Sequence, residues 1–194
     1  MPDQAVGQST TDEDQELMAE AQRNPKAFSA LYRRHLDRVY RYFRYRVGNE
    51  QDAQDLTTQT FMAALESIKS YRGTGTVAAW LLGIAHHKLV DWRRATRDWA
   101  PLTTAAEVVD TADSPEIQAT WASDRQALEQ ALLRLSPDRA EAIALRYFGE
   151  LTNREVAMVM GKEEAAVKML IHRGLADLRT RCGNLFAMET GETQ

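Results

Sequence analysis

The chain has 194 residues, of which 44% are hydrophobic, 27% charged and 8% aromatic, a composition that suits one ordinary domain or two small ones and excludes wholesale disorder. Its single cysteine, Cys182, cannot close an internal disulfide, and neither it nor the adjacent pair His86-His87 sits in a metal-ligand or nucleophile pattern, so no metal, cofactor or catalytic residue is expected. The net charge of −4 argues against a uniformly basic nucleic-acid binder, but it averages over blocks of opposite sign.

The longest apolar stretch, Val77 to Ala85, falls far short of the ~20 residues a membrane span needs, and the acidic N-terminus is unlike a signal peptide. A cytoplasmic protein without membrane insertion is expected. Residues 1–24 form an acidic N-terminal segment to which the sequence assigns no role. From Pro25 to Val47, Phe28, Leu31, Tyr32, Leu36, Val39, Tyr40, Phe43 and Val47 recur at three-and-four spacing, the pattern of an amphipathic helix whose other face is rich in arginine. Gly48-Asn49 breaks it. A second helix is expected over 50–70 with Ala53, Leu56, Phe61, Ala64, Leu65 and Ile68 inward, and Gly73-Thr74-Gly75 then interrupts the chain. A third helix from about Thr76 carries Val77, Trp80, Leu81, Ile84, Leu89 and Trp92 and ends in the basic run Arg93 to Arg97. Short connections make this a compact helical domain over 25–98.

Residues 99–117, with Pro101 and Pro115 among Thr, Asp and Ala, show no periodicity and read as a flexible acidic linker. A second helical domain is expected over 118–182, followed by a tail, 183–194. Ser136-Pro137 has the form of a capping hydroxyl followed by proline at the first helical position, opening a helix that ends at Gly149. Thr152 and Glu155 have capping-box spacing, Gly161 closes a short helix, and a last helix runs to about Cys182. Net charge follows these divisions: −5 over 1–25, +7 over 26–97, −6 over 98–130 and +2 over 131–182. Two polyanion-facing modules joined by an acidic connector would give this pattern, as would uneven surface solvation.

The segment from Thr152 to Arg179 has the layout of a helix-turn-helix. With Val167, Ile171, Leu175 and Leu178 inward, the helical step turns Ala165, Met169, His172 and Arg173 outward with Lys168 on the flank. A plain helical hairpin with a solvated face has the same spacing.

The order of these pieces over 25–182 resembles the extracytoplasmic-function sigma factors. The resemblance is carried by Ala27 to His35, by Asp52-Ala53-Gln54-Asp55-Leu56 with Thr60-Phe61, and by Tyr71-Arg72-Gly73 with Ala79-Trp80-Leu81 and Ile84-Ala85. In the second domain it is carried by Leu135-Ser136-Pro137, Glu155-Val156-Ala157, Gly161, Val167-Lys168 and His172-Arg173.

The resemblance implies an all-α, two-domain chain that binds core RNA polymerase, through the coiled coil of its largest subunit and the flap of the second largest, and directs it to promoter DNA. Asp52, Asp55, Leu56 and Phe61 would dock on polymerase, though Asp52 also suits its helix N-terminus and Leu56 suits the core. The loop from Tyr71, with Arg72 and Thr74, would meet the melted element about ten bases before the start, with Tyr71 as stacker. Lys88, Arg93, Arg94 and Arg97 would hold phosphates; Trp80 is a core residue first and a base contact second. Arg154, Ala165, Lys168, Met169, His172 and Arg173 would face the upstream, minus-thirty-five element. The acidic linker would enter a basic polymerase channel, and an anti-sigma partner is expected because most of the family has one. Thr58-Gln59 and Leu170 depart from the family pattern, and Glu164 and Met169 are unusual on a DNA-facing helix. The competing reading is a conventional helix-turn-helix regulator that acts without polymerase.

Overall fold

The computed structural model describes residues 3–99 and 128–182, with side chains over 12–96 and 128–182, and among these residues all regular structure is helical. The linker beyond Trp99, the first residues of the expected second domain up to 127, the tail after Cys182 and the side chain of Arg97 lie outside the described residues. The acidic N-terminal segment forms a helix, α1 (Asp3–Arg23), and one turn at Pro25–Ala27 leads into α2 (Phe28–Val47). Gly48, at φ 80, ends α2, and the Asn49 side chain accepts a hydrogen bond from the Asp52 amide (2.8 Å) to open α3 (Glu50–Ser67). A tight turn, Ile68–Ser70, and a loop then precede α4 (Val77–Trp99).

In the second unit, residues 128–133 form α5, and α6 (Pro137–Ile143) widens into π-type turns over Ala144–Phe148. Pro137 opens α6 as expected, but the Ser136 hydroxyl makes no capping bond; its carbonyl accepts from the Ala140 amide instead. The short helix α7 (Asn153–Met160) begins with a complete Thr152–Glu155 capping box and ends at Gly161, whose φ of 60 suits a residue without Cβ. The last helix is α8 (Glu164–Arg181).

The apolar residues of α2 meet those of α3 and α4 in one core that includes Leu31, Val39, Phe43, Leu56, Phe61, Leu81 and Leu89. α1 lies across α2, α4 and the turn after α3. Met18 and Ala21 anchor it, and its buried Asp14 meets Arg34 Nε at 2.8 Å and His35 Nε2 at 3.1 Å. Two residues assigned inward from spacing are instead exposed, Tyr32 (39%) on α2 and Leu65 (41%) on α3. Both stand at the edge of the apolar stripe, where spacing alone does not separate core from rim.

The two helical units pack directly on each other, and Leu145, Leu151, Val156 and Val167 belong to the same apolar cluster as the α2 and α4 residues. The arginine-bearing face of α2 supplies the polar part of the seam. Arg46 and Glu141, 3% and 4% exposed, meet at 2.9 Å, and Tyr42 donates its hydroxyl to the other Glu141 oxygen at 2.6 Å. His86 Nδ1 lies 2.8 Å from that same oxygen, so this histidine bridges the units rather than facing solvent. Burial opposes the ionised form of Glu141, but the His86 hydrogen bond and the Arg46 charge outweigh it and lower its pKa to about 2. Burial, reinforced by the Glu141 charge, holds the Tyr42 phenol far above its ordinary value, which keeps it a donor.

Around this centre, Arg44 pairs with Glu129 (3.1 Å), Arg38 and Arg41 pair with Glu150 (2.7 and 3.1 Å), and Tyr45 stacks on Phe148 at 3.8 Å. Glu150 is a non-glycine residue at φ 55, a left-handed conformation that its two arginine partners help to hold. Gly149 permits the close approach, since a Cβ there would come 2.7 Å from both Leu145 O and Leu82 Cδ1.

Removing one partner of a buried ion pair leaves an uncompensated charge, so Arg46→Ala is expected to lower unfolding free energy by about 3–5 kcal/mol in denaturant titrations. The Glu141 carboxyl titrates lower folded than unfolded. Its contribution is therefore complete above the ordinary carboxylate range and is lost as pH falls toward about 2. Glu141→Gln should flatten that acid limb, and an unchanged limb in thermal melts would contradict the assignment.

Candidate nucleic-acid and polymerase interfaces

The loop between α3 and α4 closes on itself. Gly73 and Gly75 adopt φ of 73 and 91, a region that favours glycine, and the Tyr71 hydroxyl donates to the Gly75 carbonyl at 3.0 Å. The Tyr71 ring packs edge-to-face on Trp80 with centroids 5.4 Å apart, and both residues are half-buried, while Arg72 and Thr74 are exposed at the tip. Thr76 caps α4 by accepting from the Ala79 amide at 3.2 Å, and its hydroxyl donates to Glu155 of α7. Glu155 thus completes the capping box and also fixes α7 against the start of α4.

The basic residues of α4 divide. Arg94 is exposed, with only a 4.0 Å contact to Asp91, and Lys88 is half-buried. Arg93 turns toward the seam and donates to the Arg46 carbonyl at 3.5 Å; burial first, then the Arg46 charge, lowers its pKa.

On α3, Leu56 and Phe61 are core residues at 2% and 4% exposure, Phe61 packing edge-to-face on Tyr32 and Phe28. Asp52 accepts from the Asn49 side chain at the helix start (2.6 Å), and Asp55 is exposed with a 3.3 Å bond from Gln51. The exposed apolar side chains of this region are Met62 (59% exposed), which the sequence does not single out, and Leu65 and Tyr32, which its spacing assigns inward. Met62 was legible in principle: it follows the inward Phe61 by one residue, a hundred-degree turn toward solvent.

In the helix-turn-helix, Val167, Ile171 and Leu178 are buried and Leu175 is half-buried, while Ala165, Lys168, Met169, His172 and Arg173 are all exposed. Arg154 is exposed on α7. Glu164 pairs with Lys168 at 2.7 Å one turn away, so the two charges offset each other on this face. Gly174 lets α8 pack closely on α6: a Cβ there would sit 2.6 Å from Ile143 Cδ1.

A helix-turn-helix with an exposed basic edge, beside a helical unit that presents a glycine loop and an arginine-bearing helix, defines the class of nucleic-acid-binding transcription proteins. The sequence matches the Sigma-70 region 2 family over residues 31–99 and the Sigma-70 region 4 family over residues 125–178. The ECF RNA polymerase sigma factor BldN of Streptomyces coelicolor is 38% identical over 156 residues, covering 78% of this chain, which spans 59% of BldN's length. The RNA polymerase sigma factor CarQ of Myxococcus xanthus is 32% identical over 162 residues, covering 82% of this chain and 91% of CarQ. The chain belongs to the sigma-70 family, among its extracytoplasmic-function members.

Two solved structures share the fold. CnrH, in complex with the cytosolic domain of CnrY, has a TM-score of 0.67 at 23% identity and covers 92% of this chain and 99% of its own. The sigma factor RpoE of Bartonella quintana, in complex with the anti-sigma factor NepR, has a TM-score of 0.65 at 19% identity over 86% and 99%.

Two glycines near the loop give opposite expectations. Gly75→Ala places a Cβ at φ 91, near Met158 Cε at 3.5 Å, and is expected to cost about 1 kcal/mol. Gly83→Ala, in the interior of α4 with open space around the new methyl, is expected to gain about 0.5–1 kcal/mol in the same denaturation series.

Proposed function

We propose that this chain is a cytoplasmic promoter-recognition subunit of bacterial RNA polymerase: its first unit binds core polymerase and the melted minus-ten element, and its second reads the minus-thirty-five duplex. The role is binding rather than catalysis. The observation that carries the reading is the outward face of α8, where Ala165, Lys168, Met169, His172 and Arg173 are exposed together over a buried Val167, Ile171 and Leu178. Arginine offers two donors to guanine's major-groove edge, and Arg173 is the residue best placed to discriminate. Arg72, Thr74 and Arg94 are the minus-ten-side groups free to meet DNA in this arrangement; Arg93 is committed to the seam.

The polymerase-facing surface is Asp55 with Met62, Leu65 and Tyr32, an apolar anchor beside a carboxylate suited to basic side chains. Leu56 and Phe61 support it from beneath.

The packed arrangement is a resting one. Two promoter elements about 25 base pairs apart lie roughly 85 Å apart at 3.4 Å per step, whereas here α7 touches the loop that would read the nearer element. The units must therefore separate on the promoter, and an anti-sigma partner of the kind that RpoE binds would act by keeping them together.

Asp55→Ala combined with Met62→Ala is expected to weaken core polymerase affinity at least tenfold in a fluorescence titration while leaving the melting temperature unchanged. Unchanged affinity in the folded double variant would refute the α3 surface. Arg173→Ala is expected to cost about 1–3 kcal/mol in recognition of the upstream element, read as transcription across single-base variants of that element. Equal responses of Arg173→Ala and the unaltered chain across the series would remove α8 from readout.

A further inference from the structure

α1 lies outside the span that matches Sigma-70 region 2, yet it grips both ends of the Tyr71–Thr76 loop. Gln15, Met18 and Gln22 share one helical face, and Met18, 1% exposed, fixes that face against the first unit. At the start of the loop, Gln22 Nε2 donates to the carbonyls of Ile68 and Tyr71, both at 3.0 Å. At its far end, Gln15 Nε2 donates to the Tyr71 hydroxyl at 2.7 Å and to the Gly75 carbonyl at 3.2 Å. Both Gln22 partners are carbonyl oxygens, so the amide must present its nitrogen to them. Between the two grips only Arg72, Gly73 and Thr74 project.

This loop carries two glycines in the left-handed region and has one bond of its own, from the Tyr71 hydroxyl to Gly75. Without α1, the loop would be held by that bond, by the Tyr71 ring on Trp80 and by Thr76 on Glu155, which leave the backbone of Arg72, Gly73 and Thr74 room to sample other shapes. α1 itself is acidic on its described surface, with Asp12, Glu13, Glu16 and Glu20 exposed, so it is repelled by phosphates and acts on DNA only through what it holds.

We propose that Gln15 and Gln22 are positioning residues that preset the loop's shape, so that α1 determines how sharply the tip discriminates among unpaired promoter bases. The inference rests on the minus-ten role given to the loop above, and it deepens that role. Fixing the reading surface before the base arrives removes the ordering cost from binding and confines the penalty to bases that do not fit.

The test uses holoenzyme reconstituted from core polymerase and the full chain, on four templates that differ only in one unpaired base of the minus-ten element. Gln22→Glu keeps the shape and removes both donors, and Gln15→Leu removes the second grip at a half-buried site. Each is expected to reduce the ratio of transcript from the best to the worst base at least threefold, with core affinity unchanged within twofold. Tyr71→Ala and Arg72→Ala report on the loop itself, and Glu20→Gln, on the solvent face of α1, should change nothing. If the loop variants lower the ratio while both glutamine variants retain it, the clamp is overturned and the loop reading stands. If neither set alters the ratio, or the unaltered chain shows none, the loop reading falls and the clamp with it. An equal loss on all four templates together with weakened core binding would mean that the glutamines act on stability alone, which also overturns the proposal. Should Gln22→Glu not fold, Gln15→Leu decides the outcome.

Discussion

Glu141 is a carboxylate with almost no access to water, and the packed arrangement of the two units depends on the partners it finds in the other unit. A lone buried carboxylate would cost several kcal/mol, so it is tolerated only because Arg46, Tyr42 and His86 converge on it from α2 and α4. That requirement is geometric as well as energetic. It sets the register of α6 against α2, and the stacked Tyr45 and Phe148 with the Glu150 and Glu129 pairs settle around it. The seam also carries apolar residues, but its charged part can come apart with less loss than an apolar one of equal size, because each side exposes groups that water can solvate.

The same packing decides which surfaces face outward. The α8 face and the exposed edge of α3 both look to solvent, whereas the start of α4 is occupied by α7 through Thr76 and Glu155. Within the first unit, α1 holds the loop that carries Tyr71, Arg72 and Thr74. On the proposed reading, recognition is divided between surfaces already accessible and a surface that is shaped but partly covered, an order of events suited to a factor that meets polymerase before it meets a promoter.

Much of the architecture was legible in the sequence because its signals are local. Gly48-Asn49, Thr152 with Glu155, and Gly161 mark helix ends through backbone chemistry that needs no tertiary context, and each stands where the pattern put it. The division of α8 into buried Val167 and Ile171 and exposed Lys168, His172 and Arg173 follows from helical periodicity alone. The seam was not legible. A glutamate within Ala140 to Leu145 breaks an apolar run, which hints at a buried charge, but its partners lie 55 to 99 residues away and no local pattern points to them. Phe61 and Met62 show a subtler limit: family resemblance drew attention to the aromatic residue, which packs inward, while the neighbouring methionine carries the surface. The role of α1 was hidden for a similar reason, since glutamines at helical spacing signal nothing until the carbonyls they meet are in place.

The central claim, that this chain confers promoter recognition on polymerase, is tested most directly by transcription in vitro with purified core enzyme on a genomic fragment library, sequencing the RNA 5′ ends with and without the protein. The account predicts new, discrete start sites that share sequence elements upstream at two fixed distances. An unchanged set of starts, together with tight sequence-specific binding of the isolated chain to duplex DNA, would contradict it and identify a regulator that works without polymerase.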